Sequence, residues 1–222
     1  MKIVLSVFTV IMLAFHCSGQ TANPGQNDPE AKQILDKASA KIKSYPAIQA
    51  AFTLEVQDGQ GKSEGVKKGT ISMKGNQYKV DITGQEIYSD GKTVWTYDKS
   101  ANEVTISKPD PSSSSMISPQ KLFTNFYDKD FLYKVNGEQQ MGGKTVQEIE
   151  MTPTDKTRSF HKIYLYIDKK SHLVSSGKLL DKNGNRYLYT INTLNGKAAL
   201  SDASFRFDKS KHPGVEEVDL RQ

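Results

Sequence analysis

Thiols, histidines and long apolar runs are all scarce in this chain, and each shortage closes a class of function. Of its 222 residues one is a cysteine, Cys17, so neither a disulfide framework nor a thiolate metal site is available. There are four histidines. His16 stands near the amino terminus, and His161, His172 and His212 follow no metal-ligand spacing. No Gly-x-Ser-x-Gly elbow occurs. Gly142-Gly143-Lys144-Thr145 ends like a phosphate-binding loop, but Glu138 occupies the position of the first glycine, so the segment reads as a turn between strands. Asp181-Lys182-Asn183-Gly184-Asn185 begins like a calcium loop, lacks the closing glutamate and reads as a hairpin turn. No cluster of acids, bases and nucleophiles emerges. The expectation is a protein that is not an enzyme and needs no cofactor or metal.

Apolar residues make up only 36% of the chain, with a mean hydropathy of −0.58. So lean a core suits a single-layer sheet with one wet face, or a sheet curled round a cavity, better than a densely packed two-layer domain. The net charge is +5. Its basic residues are scattered, as in Lys67-Lys68, Lys169-Lys170 and Lys209/Lys211, each with acids nearby. Without a basic stripe, nucleic acid is not an expected partner, and the lysines read as an ordinary solvated surface. Weak attraction to anionic headgroups or an acidic partner is the sharper alternative.

Residues 1–19 have the layout of a secretory signal: Lys2, an apolar run from Ile3 to Phe15, then Cys17-Ser18-Gly19 before Gln20. That run is too short to span a bilayer and no later segment approaches the length. A soluble exported chain cleaved near Gln20 is expected. Lipid attachment at Cys17 is the alternative, disfavoured by bulky His16 directly before it. Residues 20–27 read as a disordered leader, and residues 28–222 as one domain without an internal linker.

Asp28-Pro29-Glu30 is a helix start: a capping carboxylate, proline at the first position and an acid in the first turn. Ala31, Ile34, Leu35, Ala38 and Ile42 then recur at helical spacing as far as Pro46. From Ala47 the period becomes two. Ile48, Ala50, Phe52, Leu54 and Val56 alternate with polar residues. Further alternating runs follow, separated by Asp58–Gly65, Gly75-Asn76, Gly84 and Asp90-Gly91, making six strands. Pro109-Asp110-Pro111 and four serines interrupt, and Ser118-Pro119 opens a second helix carrying Leu122, Phe123 and Phe126. Strands resume at Phe131–Val135 and turn at Asn136-Gly137. They continue to Phe205/Phe207, giving eleven or twelve strands and two helices. A meander this long must close or curl, and two amphipathic helices can cover only one mouth or one concave face. The fold class expected is mainly β with α: an unclosed antiparallel β-barrel of about eleven strands with a helical lid.

Several segments, in order, resemble the LolA family of periplasmic outer-membrane lipoprotein carriers. They are Ile42-Lys43-Ser44-Tyr45 before Ala51-Phe52-Thr53, the run Ser89-Asp-Gly-Lys-Thr-Val-Trp-Thr-Tyr-Asp98, the strand Ile163–Asp168, and Phe205-Arg-Phe-Asp208 with Pro213–Asp219. The resemblance implies an unclosed barrel lidded by helices and no catalysis. It implies acylated lipoproteins received from an inner-membrane ABC-type exporter, an outer-membrane receptor, and a periplasmic location. The chain departs from the family where an arginine latches the lid, having Lys74-Gly75-Asn76 there instead. Apolar contacts or Lys74 then take over the latch. A lipid-sensing or membrane-anchored receptor domain of similar fold is the alternative, and a monomer is expected.

Candidates for an acyl cavity are Phe52, Leu54, Ile71, Met73, Tyr78, Val80, Ile82, Trp95, Val104, Ile106, Ile163, Leu165 and Ile167 from the strands. From the lid they are Ile34, Leu35, Met116, Ile117, Leu122, Phe123 and Phe126. Which face each strand turns inward depends on register, and a slip of one residue exchanges the set.

Overall fold

The computed structural model describes residues 27–109 and 127–221. The expected signal at 1–19, the leader to residue 26, the helix from Ser118, and Met116, Ile117, Leu122, Phe123 and Phe126 lie outside the described residues. The first six strands are β1 (Ile48–Gln57), β2 (Ser63–Lys74), β3 (Gln77–Ile82), β4 (Gln85–Ser89), β5 (Val94–Asp98) and β6 (Glu103–Ser107). A short helix, α2 (Tyr127–Asp130), leads into β7 (Phe131–Met141), β8 (Lys144–Pro153), β9 (Phe160–Asp168), β10 (Val174–Asp181) and β11 (Arg186–Asn195). A last strand, β12 (Glu216–Asp219), follows two 3-10 turns at Asp202–Phe205 and Lys209–Lys211.

All 12 strands form one sheet in the order β12-β6-β5-β4-β3-β2-β1-β11-β10-β9-β8-β7. The barrel is unclosed, because its end strands β12 and β7 have one neighbour each. Pairing is antiparallel except for β12, which runs parallel to β6. Turn chemistry decides most of the register. Gly142 and Gly143 both take positive φ, 56° and 75°, which gives the two-residue β7–β8 hairpin the twist its strands require. Asp181 accepts from the Asn185 amide at 2.7 Å and closes the β10–β11 hairpin.

Three readings are corrected. Asn136-Gly137 is not a turn but a bulge within β7, where the register shifts. The Asn136 amide is held there by Glu148 at 2.8 Å and Glu150 at 3.1 Å. Strand β2 begins at Ser63, well before Thr70, because Ser63 and Gly65–Lys68 pair with β1 although exposed and mostly polar. Phe205 sits in a 3-10 turn and not in a strand.

Helix α1 (Pro29–Lys43) begins as its cap demands. One Asp28 carboxylate oxygen accepts from Glu30 N at 2.8 Å, while the other accepts from Val135 N at 3.0 Å. The Asp28 amide donates to the Tyr133 carbonyl at 3.1 Å, and the Asn27 side chain accepts from Tyr133 N at 3.0 Å. The helix therefore starts on the free edge of β7 and ends by feeding β1, five places along the sheet. Fifteen residues make a rod of about 22 Å, and five strand spacings measure about 24 Å. Helix α1 thus lies across the strands on one face, hereafter the inner face. Ala31, Ile34, Leu35 and Ala38 are buried there against Tyr133, Ile149, Met151, Ile163, Leu165 and Ile167.

Replacing Asp28→Ala removes the helix cap and the Val135 bond together. Stability in urea denaturation should fall by about 1–2 kcal/mol. Asp28→Asn should lose less than half of that. Equal losses would mean that charge, not acceptor geometry, fastens the helix.

Candidate functional site

Directly opposed residues of neighbouring strands share a face, so the register sorts every candidate. Ala50 opposes Ile71, Ile48 opposes Met73 and Phe52 opposes Gly69. Ile71, Met73 and Gly69 in turn oppose Val80, Tyr78 and Ile82. In the other direction Leu54 opposes Tyr189 and Phe52 opposes Ile191. The chain of partners continues from Tyr189 to Gly177, then to Leu165, with Leu179 beside Ile163. Phe52, Leu54, Ile71, Met73, Tyr78, Val80, Ile82, Ile163, Leu165 and Ile167 accordingly come together on the inner face.

Trp95, Val104 and Ile106 do not. Val80 opposes Ile87 and Tyr78 opposes Ser89, while Ser89 opposes Val94. Trp95 pairs with Tyr88 and Ile106, and Tyr97 with Val104, all on the outer face. Val94 takes the inner position instead. Periodicity alone could not separate the two sets, because Ile87 and Val94 on the inner face adjoin Tyr88 and Trp95 on the outer one. The outer cover is the carboxy-terminal segment. Tyr97, Val104 and Val215 form a buried cluster with Trp95 and Phe207 against it. Phe207 meets Tyr88 edge-on at 5.9 Å and Tyr97 at 5.4 Å, and stacks on His212 at 4.6 Å.

The inner face has two regions. Ile163, Leu165 and Ile167 are 3%, 8% and 0% exposed under α1, together with Ile34 and Leu35, and form solid core. Phe52, Leu54, Met73 and Tyr78 are buried too. The Phe52 ring rests on Gly69, where a Cβ would stand 2.6 Å from its Cζ, so glycine is required at that position. Toward β5 the face loosens. Ile71, Val80, Ile82, Ile87 and Val94 are only half-buried, as are Tyr189 and Ile191. Ile87, Val94 and Tyr189 were not expected here. Cross-strand register, which the sequence does not display, is the signal that finds them.

Charge favours the outer face in mid-sheet, although Lys67, opposite Leu54, and Asp98, opposite Gln85, fall on the inner one. Lys79, Asp81, Glu86, Glu150 and Lys162 all hold outer positions. Lys99 bridges Asp81 and Glu86 at 2.9 Å each, and Lys162 meets Glu150 at 2.7 Å. Burial alone would raise the Glu150 carboxyl, but hydrogen bonds from Lys162 and Asn136 hold it below its usual range. Tyr189 of β11 and Tyr78 of β3 place phenols on the inner face, where Ser89 and Gln85 of β4 oppose Tyr78 and Ile82. Burial pushes Tyr189 up to about 12. Burial also raises Tyr78, with a bond to Ser89 working against it.

The Ser89–Asp98 motif builds a hairpin and a clasp. Asp90 accepts from Lys92 N at 3.0 Å and Thr93 N at 2.9 Å, and Ser89 from Gly91 N at 3.2 Å. Gly91 has φ 87° with the Asn76 amide packed on its Cα. Arg206 of the carboxy-terminal segment reaches Asp90 at 3.3 Å. Lys74 pairs with Asp202 of the same segment at 2.8 Å. Among the described residues it ties down this outer strap and not a lid.

The family of the outer membrane lipoprotein carrier protein LolA matches this chain over residues 43–208. This chain belongs to the LolA family. Within it, the outer-membrane lipoprotein carrier protein of Cupriavidus taiwanensis is 28% identical over 194 residues, covering 84% of this chain and 89% of the relative. The protein of the same name from Haemophilus influenzae is 26% identical over 196 residues, covering 85% and 90%. Both are named carriers and not enzymes. Among solved structures, an uncharacterized conserved protein from Thermus thermophilus superposes with a TM-score of 0.58 at 15% identity, over 86% of this chain and 99% of its own. The Mycobacterium tuberculosis lipoprotein LppX gives 0.50 at 12%, over 79% and 100%. These two likenesses show the fold alone.

The raised Tyr189 phenol makes stability alkali-sensitive with a definite sign. A neutral group favoured by the fold contributes fully below its ordinary value of 10.0. That contribution is lost as pH climbs toward about 12. Urea midpoints should hold level to about pH 9 and fall above about pH 10, and Tyr189→Phe should make the fall shallower. Identical slopes in the two proteins would show the phenol to be freely solvated.

Proposed function

We propose that the half-buried stretch of the inner face receives the acyl chains of lipoproteins, so that this chain carries them through the periplasm. The observation that carries the reading is the unequal cover of one apolar face: α1 seals Ile163, Leu165 and Ile167, whereas Ile71, Val80, Ile82, Ile87 and Val94 keep exposed surface. The names of the LolA relatives support lipoprotein as cargo. Each methylene taken out of water contributes about 0.8 kcal/mol, so a long acyl chain cannot cross an aqueous gap unaided. An apolar patch that the fold leaves incompletely buried can offer that contribution and also give it up.

In this reading an inner-membrane ABC-type exporter loads the carrier and an outer-membrane receptor unloads it. The signal of residues 1–19 is removed near Gln20, the leader ends at residue 27, and residues 28–222 act as a single monomeric carrier domain. No described helix is long and apolar enough to cross a membrane. A lipid-sensing or anchored receptor domain of similar fold is the second reading. Lipid on Cys17 would favour it by tethering the domain, and the mass of the mature amino terminus separates the two.

Purification from periplasm followed by mass spectrometry should recover acylated protein or lipid. Val80→Asp should weaken binding of a fluorescent fatty acid at least about tenfold while shifting the melting temperature little. Ile163→Asp, a buried unpaired charge, should cost about 3 kcal/mol or more of stability. Parallel loss of binding and stability in Val80→Asp would make that residue core and remove the site.

A further inference from the structure

Lysines that are scattered along the sequence gather at one end of the fold. Strand direction alternates, so the turns fall into two groups. At the end where β1 begins lie the β2–β3, β4–β5, β7–β8 and β9–β10 turns and the exits of β6 and β11. Lys92, Lys108, Lys144, Lys170 and Lys197 stand there, all exposed, and none forms an ion pair among the described residues. The acids at this end are already engaged. Asp202 meets Lys74 at 2.8 Å, Glu138 meets Lys169 at 2.7 Å, and Asp219 meets Arg221 at 2.5 Å. Asp90 is held by turn amides and Arg206, and buried Asp168 by the Lys170 and Ser171 amides at 2.9 and 2.6 Å. At the opposite end each turn carries an acid beside a base: Asp58 and Lys62, Asp98 and Lys99, Asp155 and Lys156, Asp181 and Lys182. The carboxylates accept from turn amides there too, so the contrast between the ends is one of net charge and not of ion pairing.

The geometry points to an anionic phospholipid bilayer surface as the partner of this lysine-bearing end. The five lysines extend from β6 to β8, most of the width of the sheet, or roughly 43 Å along it at about 4.8 Å per strand. A compact acidic peptide would draw on cations gathered in one groove. Charges strung along a rim match an extended surface whose headgroups are everywhere negative. Leu220, 62% exposed, lies at the same end with its amide on the Ile106 carbonyl, and gives the rim an apolar contact suited to a bilayer. The inference is independent of what the inner face holds.

The test is co-sedimentation of protein purified from the periplasm with vesicles of phosphatidylglycerol in phosphatidylcholine, against pure phosphatidylcholine. Binding should require the anionic lipid at about 50 mM salt and vanish at about 500 mM. Each neutralised lysine should weaken it about fivefold. The triple variant Lys92→Gln/Lys144→Gln/Lys197→Gln should therefore lose roughly a hundredfold, and the pair Lys108→Gln/Lys170→Gln roughly twenty-fivefold. A control with Lys62→Gln, Lys156→Gln and Lys182→Gln should bind as the parent does, all melting at parental temperature. No binding to anionic vesicles, equal binding to the neutral ones, or equal loss in the control would overturn the proposal.

Discussion

Helix α1 is about 22 Å long and about 10 Å across, while the sheet beneath it is twelve strands wide. This mismatch of areas governs the rest of the molecule. A single-layer sheet has two faces to keep from water, and α1 can close only part of one. Where it lies, Ile149, Met151 and Ile167 reach 0% exposure and the packing is that of an ordinary core. Beyond its reach the same apolar alternation continues through β2–β5 with looser cover. Among the described residues, the fold thus leaves a surface that is apolar by pattern and incompletely covered.

The outer face meets the same problem by different means. Over β7–β11 it is made of charged and phenolic side chains, such as Lys162, Glu150 and Lys134, which tolerate water without a cover. Over β4–β6 it carries Trp95, Tyr97 and Val104 and needs one. The carboxy-terminal segment supplies it through Phe207, His212 and Val215, with Arg206 and Lys209 adding ion pairs to Asp90 and Glu217. The Ser89–Asp98 motif therefore serves the frame. Asp90 and Gly91 shape a hairpin and give the strap its hold, and the tryptophan faces away from the candidate site.

Much of this was legible in the residues, because local chemistry decided it. Asp28-Pro29 began the helix, Ile34 and Leu35 marked its buried stripe, and Gly142-Gly143 and Asn183-Gly184 turned where they were expected to. The site was legible only in part. Ile71, Val80 and Ile82 could be placed because one apolar set alternates with polar neighbours in β3. In β5 Val94 and Trp95 are both apolar, and only pairing with Ser89 and Tyr88 decides between them. Gly69 showed nothing of its role, since the ring resting on it comes from another strand. Asn136-Gly137 misled for a related reason: the dipeptide favours turns, but two glutamates across the strand hold it in the ladder. The gathering of lysines at one end depends on the direction of every strand at once.

The segment before α1 and the strand after the last 3-10 turn share one property. Asn27 and Asp28 occupy the amides of β7 at one margin of the sheet, and β12 lines β6 at the other. Both hems of the fabric are thus stitched by the stretches nearest the two ends of the described residues. Trimming either stretch would bare a raw selvage of backbone donors and acceptors, an invitation to fibre growth or strand exchange between molecules. Fusions and truncations are accordingly more hazardous at these two places than an inventory of surface loops would indicate.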